Sequence, residues 1–417
     1  MNKAVGRMGP LLAALGVLIM AQGTVHSAAP AKNAQVKKAP AKKAPAKKAS
    51  GKLGKVNVAG VAVSGLTQAE AQRRLRRRLA PRLRSRVVLT GGQRKVSQTR
   101  GALGLQLDLG AMLARAKRGD KYVPLLMYVD RPRATNALRR LAPRFRVASR
   151  DASVIFQRGR TRIVPERNAQ SLNVGASVPA IAAQIQKNPA ARVLALRVTK
   201  KTPRLTRARL RGITGRLATY STRFNPGKYK RTRNMHIAIN AIDGTLLSPN
   251  ETFSLNKVVG ERTQARGYRT TIIFQNGYKV AGLGGGVSQV TGTLFNAALL
   301  SGLPIVTYRT HSRPVAYLPI GRDATVAWGS FDMQFKNNTP APVYVSYKIS
   351  GNRATATLFG KANAQRRVSV RVVSKTIGPR EKKAQLYRTI REKGKVVSKQ
   401  HVGTSHYKWN KADWEAD

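Results

Sequence analysis

Charge constrains this chain more than any other property: 78 lysines and arginines stand against 16 aspartates and glutamates, a formal net charge of +62. Such a chain seeks polyanions. Its carboxylates are correspondingly informative, and between Pro203 and Gly360 they are Asp243, Glu251, Glu261, Asp323 and Asp332. The 417 residues are 42% hydrophobic, enough apolar material for packed cores in about two to four domains. No cysteine is present, which excludes a disulfide framework, a lipid-modified N-terminal cysteine and thiolate chemistry.

The N-terminus bears on location. Lys3 and Arg7 precede an apolar run from Leu11 to Ala21, with a cleavage site after Ser27, so residues 1–27 read as a secretory signal peptide. The run is roughly half the ~20 residues that a membrane span needs, so contact with the membrane is transient. The expected location is the periplasm, cell wall or extracellular space. There the available polyanions are peptidoglycan carboxylates or anionic envelope polymers, and nucleic acid is a remote partner. Residues 28–55 repeat Ala, Pro and Lys, as in Lys42-Lys43-Ala44-Pro45-Ala46-Lys47-Lys48. They read as an extended linker, either a solvated spacer or a cationic arm on an anionic wall.

Two small α+β units follow, at 56–120 and 125–200. In the first, Thr67 caps a helix with Glu70 at its third position, Ala71, Leu75 and Leu79 face inward, and Val87-Val88-Leu89-Thr90-Gly91-Gly92 is a strand entering a turn. In the second, Leu138 and Leu141 lie in a helix, followed by strands at Ala152–Phe156 and Ile163–Pro165. Gly104–Leu109 and Gln170–Gly175 precede helices in parallel positions, so the units read as divergent repeats. Neither offers a general base, and both read as binding or spacer modules.

The densest signals lie in 203–360. Gly282-Leu283-Gly284-Gly285-Gly286-Val287-Ser288-Gln289-Val290 is a glycine loop running into Val290, Leu294, Ala297 and Ala298 at helical spacing. Ser288 therefore sits at a helix N-terminus, where free N–H groups and the dipole favour an anion or a developing oxyanion. The glycines allow close approach of a substrate to the backbone, and Gly292 leaves the face above Ser288 open. A strand at Pro304–Tyr308 ends at His311, and a second begins at Gly321 and carries Asp323. Nucleophile, histidine and acid are in a workable triad order. Three structural alternatives stand beside it: Ser288 as the helix N-cap, His311 as a buried strand-end residue, and Asp323 as the partner of Arg322 or Arg313. His236 reads as a packing residue and Glu251 as a turn residue. No metal site and no cofactor is expected.

The segment from about Leu217 to Phe335 resembles the VanW family. The resemblance rests on Arg233-Asn234-Met235-His236-Ile237, Asn240–Thr245, Pro249–Asn256, Gly284–Val290, Thr293–Ala298, His311–Tyr317 and Gly321–Val326. Family members usually carry Cys where this chain has Ser288, so the implied Cys, His, Asp arrangement becomes Ser288, His311, Asp323. A serine hydroxyl stays protonated and needs His311 as a base in the transition state. Gly284, Gly285, Gly286, Gln289, Asn296 and Arg313 are the binding candidates within the matching segments. The resemblance implies an α+β domain, with a papain- or transglutaminase-like arrangement as one option. The units before it resemble peptidoglycan-binding modules that precede VanW or L,D-transpeptidase domains in exported bacterial proteins.

Residues 361–417 alternate in strand fashion, with Lys393-Gly394-Lys395 as a hairpin turn. They resemble the β-rich tail that follows VanW domains and offer no constellation for chemistry, with Trp409 and Trp414 as packing or anchoring residues. The whole reads as a multidomain α+β protein of the envelope that binds peptidoglycan or an anionic wall polymer. The alternative is a cell-wall amide or ester hydrolase or transferase using Ser288, His311 and Asp323.

Overall fold

A computed structural model describes residues 51–275 and 278–409. The expected signal peptide, the linker up to residue 50, and Trp414 lie outside the described residues. The fold is mixed α+β and multidomain. No helix among the described residues is long and apolar enough to cross a membrane.

The N-terminal part is built on capped helices. Thr67 accepts the Glu70 N–H while the Glu70 carboxylate accepts the Thr67 N–H at 2.8 Å, a closed capping box that starts α1 (Gln68–Arg84). Ala71, Leu75 and Leu79 are its buried face. A hairpin of Arg86–Gly91 and Arg94–Thr99 and a short strand, Leu105–Leu107, lead to α2 (Leu109–Lys117), whose N-cap Asp108 accepts the Ala111 N–H at 2.9 Å. The same order recurs. α3 (Arg131–Phe145), a hairpin of Ser153–Gln157 and Arg160–Val164, and the strand Ala169–Leu172 precede α4 (Val174–Lys187), capped by Asn173 through the Ala176 N–H at 2.9 Å.

The two passes interleave rather than stand side by side. The strand Val193–Ala195 pairs in parallel with Arg86–Gly91, and Val87 and Leu89 share one core with Leu138, Phe145, Ile181 and Leu194. A two-stranded hairpin cannot bury its own apolar face, so the first hairpin uses the helices of the second pass. α1 and α2 bury Leu75, Met112 and Val123 in a core of their own.

In the next part the strand Gly215–Arg223 lies antiparallel to Arg353–Gly360, which continues through Val343–Ser350 to Thr245–Leu247 in a four-stranded sheet. Against it pack α5 (Tyr229–Ile242), α6 (Leu255–Val259) and α7 (Val287–Leu300). The stripe at Val290, Leu294, Ala297 and Ala298 suggests one buried face, yet α7 is buried all round from Gln289 to Leu299. Of its buried polar residues, three bond their own helix, Thr291 to the Val287 carbonyl, Thr293 to that of Gln289 and Asn296 to that of Gly292, and Gln289 bonds outward to Thr222 and the Arg223 carbonyl.

The strand expected from Gly321 does not form. Only an isolated bridge, Arg309 to Thr325, is made. Its backbone is claimed elsewhere, since the Gly321 N–H donates to the Tyr407 hydroxyl and the Arg322 carbonyl accepts from Asn296 Nδ2. The last strands, Arg366–Gly378, Glu381–Glu392 and Lys395–Lys408, form an antiparallel sheet whose turn puts Lys393 and Gly394 at φ of 51° and 80°. Leu386 of this sheet enters the same core as α7.

Candidate functional site

The loop before α7 is set by Asn234 of α5, which is fully buried. Its amide donates to the Arg269 and Gly285 carbonyls at 2.9 and 3.1 Å and accepts the Arg269 N–H at 2.8 Å. Gly286, at φ of 103°, is the N-cap of α7, and no side chain caps this helix. Ser288 is therefore not the cap that its residue type suggests. It stands one position inside the first helical residue, half-buried, with its hydroxyl 3.0 Å from the Thr325 hydroxyl.

The glycine surfaces are occupied by the protein itself. A Cβ on Gly285 would collide with Thr271 Oγ1, one on Gly284 would lie 2.9 Å from Arg262 Cγ, and one on Gly286 would lie 3.0 Å from Met235 Cγ. The face above Ser288 is also closed: at Gly292, Leu318 Cδ1 fills the place of the missing Cβ and the Ala324 backbone lies 3.5 Å away. These glycines admit neighbouring chain rather than leaving an opening.

His311 and Asp323 come together as a buried pair. Asp323 Oδ2 accepts both the His311 backbone N–H and His311 Nδ1, each at 2.8 Å, and Oδ1 accepts the Tyr407 hydroxyl at 2.5 Å. A carboxylate acceptor places the ring proton on Nδ1, leaving the Nε2 lone pair in the neutral imidazole. Phe274 packs beside the pair: its ring meets His311 in a T-shape with centroids 6.0 Å apart and lies under the Arg313 guanidinium at 4.9 Å. Asp323 is bonded to His311, whereas Arg322 donates to Asn296 Oδ1 at 2.7 Å. Among the described residues no hydrogen bond joins Ser288 to His311.

The environment of Asp323 is phenolic. Burial, and then the Asp323 charge, push the Tyr407 and Tyr308 hydroxyls up, Tyr308 to about 12. Tyr317 is raised by burial, with Arg231 acting in the opposite direction. Arg231, itself lowered by burial, donates to Gln289 Oε1 at 2.7 Å. The Gln289 amide donates to Thr222 and to the Arg223 carbonyl, so Gln289 and Asn296 both tie α7 to its neighbours.

Several site residues escape sequence reasoning. Tyr407 lies in a tail that shows no constellation for chemistry, and its burial is legible only from the fold. Thr325 sits two residues beyond Asp323, in a segment that forms no strand and so offers no periodic signal. His236, expected to pack, is exposed on α5. Glu251 accepts the Ser248 N–H at 2.8 Å, a turn bond. No group of three or more potential metal ligands occurs among the described residues.

Comparison with known proteins places these features. Residues 230–359 match the family model "VanW like protein", and residues 107–193 match "Putative peptidoglycan binding domain". The chain is 43% identical over 146 residues to the uncharacterized protein YoaR of Bacillus subtilis, an overlap of 35% of this chain and 48% of that protein. It is 25% identical over 137 residues to the vancomycin B-type resistance protein VanW of Enterococcus faecalis, covering 32% of this chain and 50% of that one. The chain thus spans about half the length of the curated relatives it matches. No solved structure gives a significant match. The chain therefore carries a VanW-like domain over residues 230–359, preceded over residues 107–193 by a region that matches the model "Putative peptidoglycan binding domain".

Proposed function

We propose that the protein is exported to the envelope and holds peptidoglycan or an associated anionic polymer there without turning it over. The family matches support association with the cell wall, and the net charge of +62 supports an anionic partner. The observation that carries the non-catalytic reading is the engagement of the Ser288 hydroxyl by Thr325 beside glycines already covered by Thr271 and Leu318. A nucleophile needs its base within hydrogen-bond reach and an open approach for the acyl group.

The alternative, acyl hydrolysis or transfer, draws support from the Asp323–His311 pair, which is the orienting half of a triad. Incubation of purified chain with isolated walls separates the two. Ser288→Ala is expected to leave wall binding unchanged, and neither form is expected to release soluble fragments. Release by the wild type that is lost in Ser288→Ala would establish the hydrolase instead. Binding should also weaken steeply with added salt, because exposed charges are screened beyond about 10 Å at 0.1 M.

A further inference from the structure

Where the two N-terminal passes interleave, a cavity of about 380 Å³ gathers Arg82, Arg86, Arg100 and Arg192, and among the described residues no carboxylate lines it. Arg100 is the buried member, only 5% exposed. It donates to Ser85 Oγ at 3.1 Å and to the Pro189 and Ala191 carbonyls at 2.8 and 2.5 Å. A guanidinium carries five donors, so these three bonds leave two N–H groups for a ligand. Burial and then the charge of Arg82 both push the Arg100 guanidinium below its ordinary range. Arg82, Arg86 and Arg192 are exposed, so their loss does not empty the core.

Like charges drawn into one concavity repel unless an anion joins them. This cavity meets a second one, of about 350 Å³, through Met127 and Pro189, which line both. The second cavity differs in character, presenting Leu126, Tyr128, Ile185 and Gln186 with a single Arg131 balanced by Asp108. The groove is thus strongly cationic at one end and amphiphilic at the other. A repeating polyphosphate would require cations along its whole length, whereas a short peptide carrying its carboxylates at one end matches the asymmetry.

We propose that this groove binds a short acidic peptide, its carboxylates held by Arg82, Arg86, Arg100 and Arg192 and its body lying along Met127 toward Tyr128. The identification of that peptide as a peptidoglycan stem rests on the wall-binding reading. The arginine cavity does not.

Calorimetric titration of the full chain tests the assignment. The probes are an N-acetylated synthetic stem peptide of alanine, γ-linked D-glutamate, diaminopimelate and alanine with free carboxylates, its fully amidated twin, and a poly(glycerol phosphate). The free acid is expected to bind and the amidated peptide not to. The triple variant Arg82→Ser/Arg86→Ser/Arg192→Ser should weaken binding about tenfold or more, the loss of at least one charge-assisted contact. The corresponding triple Arg→Lys variant should retain much of it, and its circular dichroism reports folding. No binding of the free acid, equal binding of the amidated twin, or tighter binding of the polyphosphate that the triple Ser variant abolishes would each overturn the proposal. Binding to whole walls without binding to the peptide would defeat this assignment and leave the wall reading standing. The reverse pattern would defeat the wall reading alone.

Discussion

Asp323 is a residue on which the VanW-like domain and the C-terminal sheet converge. It is 1% exposed and takes hydrogen bonds from the His311 backbone, the His311 ring and Tyr407, 84 residues downstream. Replacing it with alanine leaves these buried donors without an acceptor, at about 1–3 kcal/mol for each unsatisfied group. Tyr407→Phe removes the bond to the Asp323 carboxylate and leaves the Gly321 N–H without its acceptor, and should lower the unfolding free energy by at least about 1.5–3 kcal/mol in urea. An unchanged midpoint for Tyr407→Phe would mean that the phenol is not bonded to Asp323 in solution. Ser288 presents the opposite case. Its exchange for alanine removes a half-exposed hydroxyl pair and is expected to cost little stability.

At the level of elements, the last three strands serve α7 as much as themselves. Arg388, on the middle one, donates to the Leu299 and Leu303 carbonyls, the latter at 2.6 Å, satisfying the C-terminal end of the helix with a cation. Leu386 enters the core from the same strand, and Tyr407 arrives from the next. A chain ending after Gly360 loses all three. Three charge-assisted bonds, two from Arg388 and one from Tyr407, at about 1.5–3 kcal/mol each and one buried leucine at about 1.5–3 kcal/mol amount to a large part of a domain stability of about 5–15 kcal/mol. The shortened chain is expected to lose its cooperative thermal transition. Retention of a sharp transition near that of the full chain would show the sheet to be an independent domain.

For the molecule as a whole, the buried phenols set a limit in alkali. Burial first, then a neighbouring aspartate, raises Tyr308 and Tyr344 from 10.0 to about 12, and burial raises Tyr347 further. A group whose folded value is raised contributes stability that is complete below its unfolded value and fades as pH climbs past it. The fold should therefore hold up to about pH 10 and weaken between there and pH 12. Tyrosinate absorbance for these residues should rise together with loss of circular dichroism. Ionisation well before unfolding would contradict their burial.

What the sequence determined by itself is local. The Thr67–Glu70 capping box, the Lys393-Gly394 turn and the glycine entry to a helix at Val287 follow from spacing and steric preference within a few residues. The matching segments also brought Ser288, His311 and Asp323 into one candidate site. Only the tertiary structure decided that Asp323 binds His311 and Tyr407 while Ser288 binds Thr325, that Leu318 covers Gly292, and that Arg86–Gly91 pairs with Val193–Ala195. Such contacts join residues far apart in the chain. Periodicity reports which face of an element is buried, but the partner that buries it is chosen by how whole elements pack.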